Sequence, residues 1–279
     1  MNHAKLVFIG GGNMAASLIG GLVHKGYAAE RITACDPVPE TRTRLSEQYG
    51  INTSADNRAA VGEAEVVVLA VKPQLINEVA GGLEGALNHR PLVISIVAGI
   101  PVAVLNGLMV SEQAELPIVR CMPNTPALLQ LGATGLYATE SVNAQQRQLA
   151  EEILAAVGIT AWLDSERGID AVTALSGSGP AYFFLVMEAM MAAGEKLGLA
   201  PGVARDLTLQ TALGAARMAL ESDVDVAELR RRVTSPGGTT EAALNNFQAQ
   251  GLADIFENAM TAAFERAQAM GIEAAEAQE

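Results

Sequence analysis

The sequence predicts an α/β fold in two parts: a parallel-sheet domain over residues 1–163, then an all-α domain over residues 164–279. Three observations carry this. A short apolar run, residues 5–9, ends in Gly10-Gly11-Gly12 and opens onto a segment with helical spacing. Continuous apolar runs at residues 66–70 and 92–96 alternate with helical stretches, as parallel strands buried on both faces do. After Leu163 no convincing strand follows, and the apolar residues recur with helical period.

In chain order, residues 5–9 form the first strand, and Gly10 makes the tight turn after it. Residues 13–24 form a helix with Met14, Leu18, Ile19, Leu22 and Val23 at helical spacing, stopped by Gly26. Strand, Gly-x-Gly-x-x-Ala, helix is the context that makes this fingerprint a Rossmann-type dinucleotide site. Gly12 lets the backbone approach a pyrophosphate, and Ala15 keeps helix and strand close. Gly10, Gly11, Gly12, Asn13 and Met14 are therefore candidate cofactor-binding residues. The second strand, residues 31–35, ends at Asp36 before Pro37. An acidic side chain there accepts from ribose hydroxyls and repels a 2′-phosphate, which leans toward NADH. Arg42 and Arg44 follow within reach of a phosphate, so NADPH stays open. Asp36 also reads as a plain turn residue ahead of Pro37.

The strand at residues 66–70 ends in Val71-Lys72-Pro73, and the strand at 92–96 ends in Val97-Ala98-Gly99. Ligands of open α/β sheets sit beyond the C-terminal strand ends. Residues 10–14, Asp36, Asn57, Val71, Lys72, Pro73, Ala98 and Gly99 should then line one edge. Lys72 reads either as a donor to the cofactor or as a solvated lysine. A further strand, residues 116–120, precedes Cys121-Met122-Pro123-Asn124-Thr125-Pro126. Its two prolines stiffen the loop and hold the Asn-Thr pair still, which matters where substrate must meet cofactor at reacting distance. Pro123 and Asn124 join the cofactor-binding candidates. Residues 132–138 form a strand, 145–157 a helix and 160–163 a last edge strand.

Helices are expected at residues 181–197, 201–221, 226–232, 241–250 and 252–271. Their apolar faces are wide, with Phe183, Phe184, Val186, Met187, Met190 and Met191 in the first of them. Helices apolar nearly all round need several neighbours, so a dimer with interlocked helices is expected. The Met-rich stripe reads as core packing. Two Gly-rich turns open onto helices in this half, Ser176-Gly177-Ser178-Gly179-Pro180 and Val233-Thr234-Ser235-Pro236-Gly237-Gly238-Thr239-Thr240-Glu241. Each points unpaired N–H groups at one spot, suiting a carboxylate or phosphate, although each also makes an ordinary helix cap. No Ser/His/Asp set accompanies them, so nucleophilic catalysis is not indicated and small-anion binding remains.

Composition narrows the partners. Half the residues are hydrophobic but only 4% aromatic, and the formal net charge is −13, which argues against nucleic acid. Arg230-Arg231-Arg232 is too short a basic run to reverse that. Cys35 and Cys121 form no paired motif, and His3, His24 and His89 have no ligand spacing and read as surface residues, so no metal site is indicated. Without a leader pattern or an uninterrupted apolar run of membrane length, a soluble cytoplasmic protein is expected, with no membrane partner.

Five stretches together resemble the pyrroline-5-carboxylate reductase family: Phe8-Ile9-Gly10-Gly11-Gly12-Asn13-Met14, Ala70-Val71-Lys72-Pro73, the loop from Arg120 to Pro126, Ser176-Gly177-Ser178-Gly179-Pro180-Ala181-Tyr182, and the Val233 to Thr240 turn. They fall in the family's order and span nearly the whole chain. The resemblance implies an NAD(P)H-dependent reduction of 1-pyrroline-5-carboxylate to L-proline, the last step of proline biosynthesis. It implies a helical domain that forms a homodimer, with dimers gathered into rings. It places the substrate carboxylate on backbone N–H groups of Gly238, Thr239 and Thr240, with Ser235 nearby and Glu166 as an acidic residue close to the substrate. Thr240 takes the catalytic position, its hydroxyl facing the ring nitrogen as an orienting hydrogen-bond partner. Asn57 and Ala98 match cofactor contacts. Arg232 stands where some members carry a smaller polar residue. Asp36 replaces the small hydroxyl residue of other members, leaving NADPH against NADH open.

Rival functions fit less well. A β-hydroxyacid dehydrogenase shares the layout but wants an acid/base lysine on the helical side, and Lys196 lies near the C-terminal end of a long helix. A ketol-acid reductoisomerase needs acidic metal ligands that the helical half lacks. A non-catalytic NAD(P) sensor would leave both Gly-rich turns without a ligand.

Overall fold

The computed structural model describes residues 4–110 and 115–276, so the expectation for His3 lies outside the described residues. Eight strands form one sheet in the order β3-β2-β1-β4-β5-β6-β7-β8. They are β1 (Leu6–Ile9), β2 (Ile32–Cys35), β3 (Asn52–Ser54), β4 (Val66–Leu69), β5 (Leu92–Ser95), β6 (Ile118–Met122), β7 (Gly132–Ala138) and β8 (Gly158–Trp162). All neighbours are parallel except β6 and β7. Helices α1 (Asn13–His24), α2 (Pro39–Tyr49), α3 (Asn57–Val61), α4 (Ile76–Gly81), α5 (Val102–Met109) and α6 (Ala144–Leu154) connect them. The strand order reverses beside β1, whose other neighbour is β4, and this opens a crevice at the C-terminal strand ends.

The pleat explains the continuous apolar runs. In β1, Leu6 and Phe8 enter the core on one face while Val7 and Ile9 enter the core on the other. Val66 and Val68 of β4 side with the first pair, Val67 and Leu69 with the second. Burying each such side chain is worth about 1.5–3 kcal/mol, and a strand buried on both faces has no polar position to alternate. β3 was not foreseen, and the reason is visible in it. Its three polar residues are held by pairing with β2 and by the Asp36 N–H donated to the Ser54 carbonyl, not by apolar burial.

Contacts divide the chain into two compact units, Met1–Ser178 with Ala262–Glu279, and Gly179–Thr261. The second holds α8 (Gly179–Lys196), α9 (Pro201–Glu221), α10 (Val226–Arg232), α11 (Thr239–Ala249) and the start of α12 (Leu252–Glu276), whose last turns cluster with the first unit. No strand occurs after β8 among the described residues. In the second unit α8 approaches α9 where Gly194 faces Ala204 and Leu199. Phe183, Phe184, Leu185, Leu213 and Leu220 are each at least 59% exposed in the single chain.

One expectation is corrected. Ser176-Gly177-Ser178-Gly179-Pro180 is not a turn opening a helix. After α7 (Arg167–Val172) the chain makes a π-helical turn, Thr173–Gly177, and runs on into α8. Ser178 N–H reaches back to the Thr173 carbonyl, the i→i−5 spacing of a π-bulge. Pro180 has no N–H for the Ser176 carbonyl four residues back, and the Asn124 side chain donates to that carbonyl instead, at 3.0 Å. Because the helix continues through it, with the Ser178 N–H already donated, the segment presents no helix N-terminus to an anion. The uninterrupted helical run Arg167–Lys196 also has the length and a mean hydropathy, 1.2, that a membrane-crossing helix has, with 22% of its most apolar window buried. Breaking the run at Pro180 is what hid it in the sequence.

Candidate active site

The candidate dinucleotide edge begins at Gly10. Its φ is +102°, and a Cβ there would stand 2.5 Å from the Ala70 carbonyl oxygen of the neighbouring chain segment, so only glycine fits. Gly12, by contrast, faces open space: nothing lies within 4 Å of where its Cβ would be. It is the N-cap of α1 and brings no capping side chain, which leaves the first-turn amides of a 12-residue helix toward the exposed Gly12 and Asn13. An open glycine at an uncapped helix N-terminus fits a pyrophosphate.

Asp36 sits at the end of β2, as expected, and its carboxylate is engaged by the fold. Oδ2 accepts the Gly11 N–H and Oδ1 the Val38 N–H, both at 2.9 Å. The two arginines are engaged as well. Arg42 donates to the Asp36 and Pro37 carbonyls at 2.6 and 3.0 Å, and Arg44 to the Gly11 carbonyl at 3.2 Å. This lattice ties the start of α2 to the glycine turn. The glycine turn is therefore braced by the same three charged side chains from which the sequence argues the choice between NADH and NADPH.

Around the edge, Asn57 is the first residue of α3, which Asp56 caps through the Ala59 N–H at 3.1 Å. Val71 and Pro73 are half-buried and Lys72 is exposed. Ala98 is half-buried, whereas Gly99 is covered, since a Cβ on it would lie 2.7 Å from Met270 Cβ. Pro123 and Asn124 are buried, and Asn124 uses both ends of its amide within the fold: Oδ1 accepts the Ala133 N–H at 2.9 Å while Nδ2 holds Ser176.

Sequence reasoning missed the most unusual group. Arg120, in the middle of β6, is 3% exposed. Nη1 donates to Glu166 Oε1 and Nη2 to Asp170 Oδ1, each at 2.9 Å. A buried guanidinium is tolerated only when paired, and removing one partner of such a pair costs about 3–5 kcal/mol. The signal available was an arginine inside an apolar strand, with two carboxylates four residues apart on a later helix. Glu166 Oε1 also accepts the Val102 N–H at 2.8 Å.

In the second unit, the Val233–Glu241 stretch builds the turn ahead of α11. Gly237 has φ +72°, and a Cβ on Gly238 would stand 2.9 Å from the Ser235 carbonyl oxygen. Gly238 donates its N–H to that carbonyl at 3.0 Å, and Gly237 donates to Glu241 Oε2 at 2.7 Å. The N-cap residue of α11 is Gly238 and no side chain caps the helix, so the turn does not end in a side-chain cap. Of the amides of Gly238, Thr239 and Thr240, the first is occupied. The other two have no acceptor among the described residues, and Ser235, Thr239 and Thr240 are exposed. This is half an anion cradle, held open by two glycines and a glutamate. Arg231 and Arg232, just before it, both pair with Glu228.

The remaining candidates for chemistry are quiet. His24 and His89 are exposed, as expected. Burial pushes the Cys35 thiol up to about 12 and the Cys121 thiol still higher, so neither is a thiolate at neutral pH. Among the described residues no group of His, Cys, Asp and Glu is placed to hold a metal ion.

Comparison with known proteins agrees along nearly the whole chain. The family model described as pyrroline-5-carboxylate reductase dimerisation matches residues 166–270, and one described as NADP oxidoreductase, coenzyme F420-dependent, matches residues 5–99. Pyrroline-5-carboxylate reductase of Pseudomonas aeruginosa is 55% identical over 266 residues, covering 95% of this chain and 96% of that one. Among solved structures, a pyrroline-5-carboxylate reductase from Coxiella burnetii superposes with a TM-score of 0.91 at 45% identity, over 96% of this chain and 99% of that one. The Plasmodium falciparum pyrroline carboxylate reductase with NADP bound gives 0.85 at 31% identity, over 97% of this chain and 99% of that one.

Proposed function

The chain belongs to the pyrroline-5-carboxylate reductase family, and from that membership we propose how its own residues carry the reaction. The protein is an NAD(P)-dependent oxidoreductase that reduces the cyclic imine 1-pyrroline-5-carboxylate to L-proline, and it carries the family's dimerisation domain. The observation that carries the assignment of roles is the pair of free amides opening α11. The substrate carboxylate sits on the N–H groups of Thr239 and Thr240, with the Ser235 hydroxyl beside them. Gly238 contributes conformation, because its own N–H is already donated to Ser235. Residues 10–14, Asp36, Pro37, Asn57, 71–73, Ala98, Gly99, Pro123 and Asn124 form the dinucleotide edge, the last two in a loop that the Asn124 amide pins to Ala133 and Ser176. A bound dinucleotide would supply a hydride to the imine carbon, and the proton on the ring nitrogen enters with the substrate as its iminium. The protein holds the carboxylate, excludes water and presents the Thr240 hydroxyl to the ring nitrogen, an orienting role because a threonine is a weak acid by itself. Functionally the division is residues 1–163 for the cofactor and 164–279 for substrate and dimerisation.

The assay is oxidation of NADH and NADPH in the presence of pyrroline-5-carboxylate; a protein that binds dinucleotide without turnover would be a sensor rather than a reductase. Thr240→Ala is expected to lower kcat by about 10- to 100-fold, the loss of one orienting hydrogen bond worth about 1.5–3 kcal/mol, with dinucleotide affinity unchanged. Unchanged turnover at saturating substrate would remove Thr240 from the mechanism. For the cofactor, Asp36 favours NADH. Asp36→Ser should raise the NADPH-to-NADH ratio of kcat/KM by about tenfold, roughly one charge interaction, and lower the melting temperature because the Gly11 amide loses its carboxylate acceptor. An unaltered ratio would show that Asp36 acts only as the brace of the glycine turn. The protein works in the cytoplasm as a homodimer, with a ring of dimers as the larger assembly. A second copy covers the exposed face of α8 and α9, which accounts for the apolar run Arg167–Lys196 without a membrane.

A further inference from the structure

We propose that Glu166 is a positioning residue of this reaction, holding the turn between β5 and α5 through Val102 and Arg120, and that it does not touch the substrate. The inference rests on reading residues 97–101 as part of the dinucleotide edge.

α5 starts without a cap of its own. Its N-cap residue is Pro101, which offers no side-chain acceptor, so the Val102 amide at the positive end of the helix needs one from elsewhere. Glu166 supplies it: Oε1 accepts the Val102 N–H at 2.8 Å. The same oxygen accepts Arg120 Nη1 at 2.9 Å. One atom thus ties the start of α5 to the middle of β6. Asp170 Oδ1, one helical turn further along, takes Nη2 at 2.9 Å and fixes the guanidinium from the other side. Arg120 Nε is buried with no partner, so these two carboxylates are what hold the group in place.

The turn so anchored is pressed from its other side as well. A Cβ on Gly271 of α12 would stand 3.0 Å from the Gly99 carbonyl oxygen and 3.1 Å from Pro101 Cγ, and Met270 fills the space over Gly99. Residues 97–101 therefore lie between a carboxylate clamp and a helix, at the C-terminal end of β5. Of the two carboxylates, Glu166 meets the start of α5 directly by hydrogen bond, whereas Asp170 reaches it through Arg120. That asymmetry separates positioning from simple bracing, because both acids pair with Arg120 and only one anchors α5.

The test uses the full-length protein with four variants, measuring kcat, KM for pyrroline-5-carboxylate, melting temperature, and dinucleotide affinity by nicotinamide fluorescence. Glu166→Ala should lower kcat about tenfold, the effect of a small misplacement, while KM for pyrroline-5-carboxylate stays within about twofold. Glu166→Gln, which keeps an acceptor for Val102, should recover most of that kcat. Asp170→Asn should lower the melting temperature and leave kcat within about twofold. Should Glu166→Ala not fold, Glu166→Asp keeps a negative charge near the buried guanidinium but draws the shared oxygen one methylene back from both Val102 and Arg120, and it should show the same kcat loss. A rise of about fivefold or more in substrate KM, with Gln no better than Ala, would place Glu166 on the substrate and overturn the proposal. Equal kcat losses in the Glu166 and Asp170 variants, or a change in melting temperature alone, would overturn it as well. Wild-type turnover is measured alongside. Its absence would sink the family reading, and the clamp would still be read from dinucleotide affinity, expected to weaken about threefold in Glu166→Ala.

Discussion

Thr239→Pro is expected to raise KM for pyrroline-5-carboxylate by about 10- to 100-fold, because it deletes one charge-assisted hydrogen bond worth about 1.5–3 kcal/mol. The substitution is unusually clean. Thr239 is the first residue of α11, where proline is favoured and the missing N–H breaks no helical bond. Gly238 before it has φ −84° and ψ 169°, the extended conformation a residue preceding proline adopts. The Thr239 N–H has no acceptor among the described residues, so folding should not notice its loss, and the melting temperature should move by less than about 2 °C. Dinucleotide affinity should be unchanged. Thr239→Ser, which keeps the amide, is the control and should behave as wild type in KM. A proline variant with wild-type KM would mean the carboxylate is held elsewhere, and the function assigned to the α11 turn would go with it.

Gly10→Ala is expected to weaken NADH and NADPH binding by at least about tenfold and to lower the melting temperature by several degrees. Two causes act together. The φ of +102° is strained for any residue with a Cβ, at about 1–3 kcal/mol. The added carbon would also meet Ala70 oxygen at 2.5 Å, Ala70 carbon at 2.9 Å and Val71 Cγ1 at 3.1 Å. Two of these are backbone atoms at the end of β4, which cannot swing aside like the tip of a side chain. Relief has to come from moving the glycine turn away from the Val71-Lys72-Pro73 segment, which opens the dinucleotide edge. Gly12→Ala is the useful contrast. With nothing within 4 Å, it should fold normally and lose affinity only through what it puts in the way of the ligand. If Gly10→Ala bound dinucleotide as wild type does, the turn would not be the approach point of the pyrophosphate.

Features written in local pattern were legible in the sequence. The runs that became β1, β4 and β5 are apolar because both pleat faces are covered, and such runs need no knowledge of their neighbours to be found. The glycine turn after β1 is legible for the same reason, since φ and space constrain one residue at a time. β3 was not legible, because a polar edge strand exists only by virtue of the β2 backbone beside it. Ser176–Pro180 was misread for a related reason. Gly, Ser and Pro usually end or begin helices, but here a carbonyl that Pro180 cannot serve is taken by Asn124, 52 residues earlier, and the helix continues through a π-turn.

Local chemistry in the sequence was enough to determine a dinucleotide domain, a helical domain with faces too apolar for one chain, and two glycines opening a helix onto free amides, because each follows from residues within a few positions of one another. Which groups are already engaged was decided only by the tertiary structure. Asp36 is bound to the Gly11 and Val38 amides, Gly238 donates to Ser235, and Glu166 serves Arg120 and Val102. A hydrogen bond needs its partner within about 3 Å, and apart from the local turns at Gly238 and at Asp36–Val38 these partners are brought there by packing across the chain, a distance that spacing along the sequence does not encode.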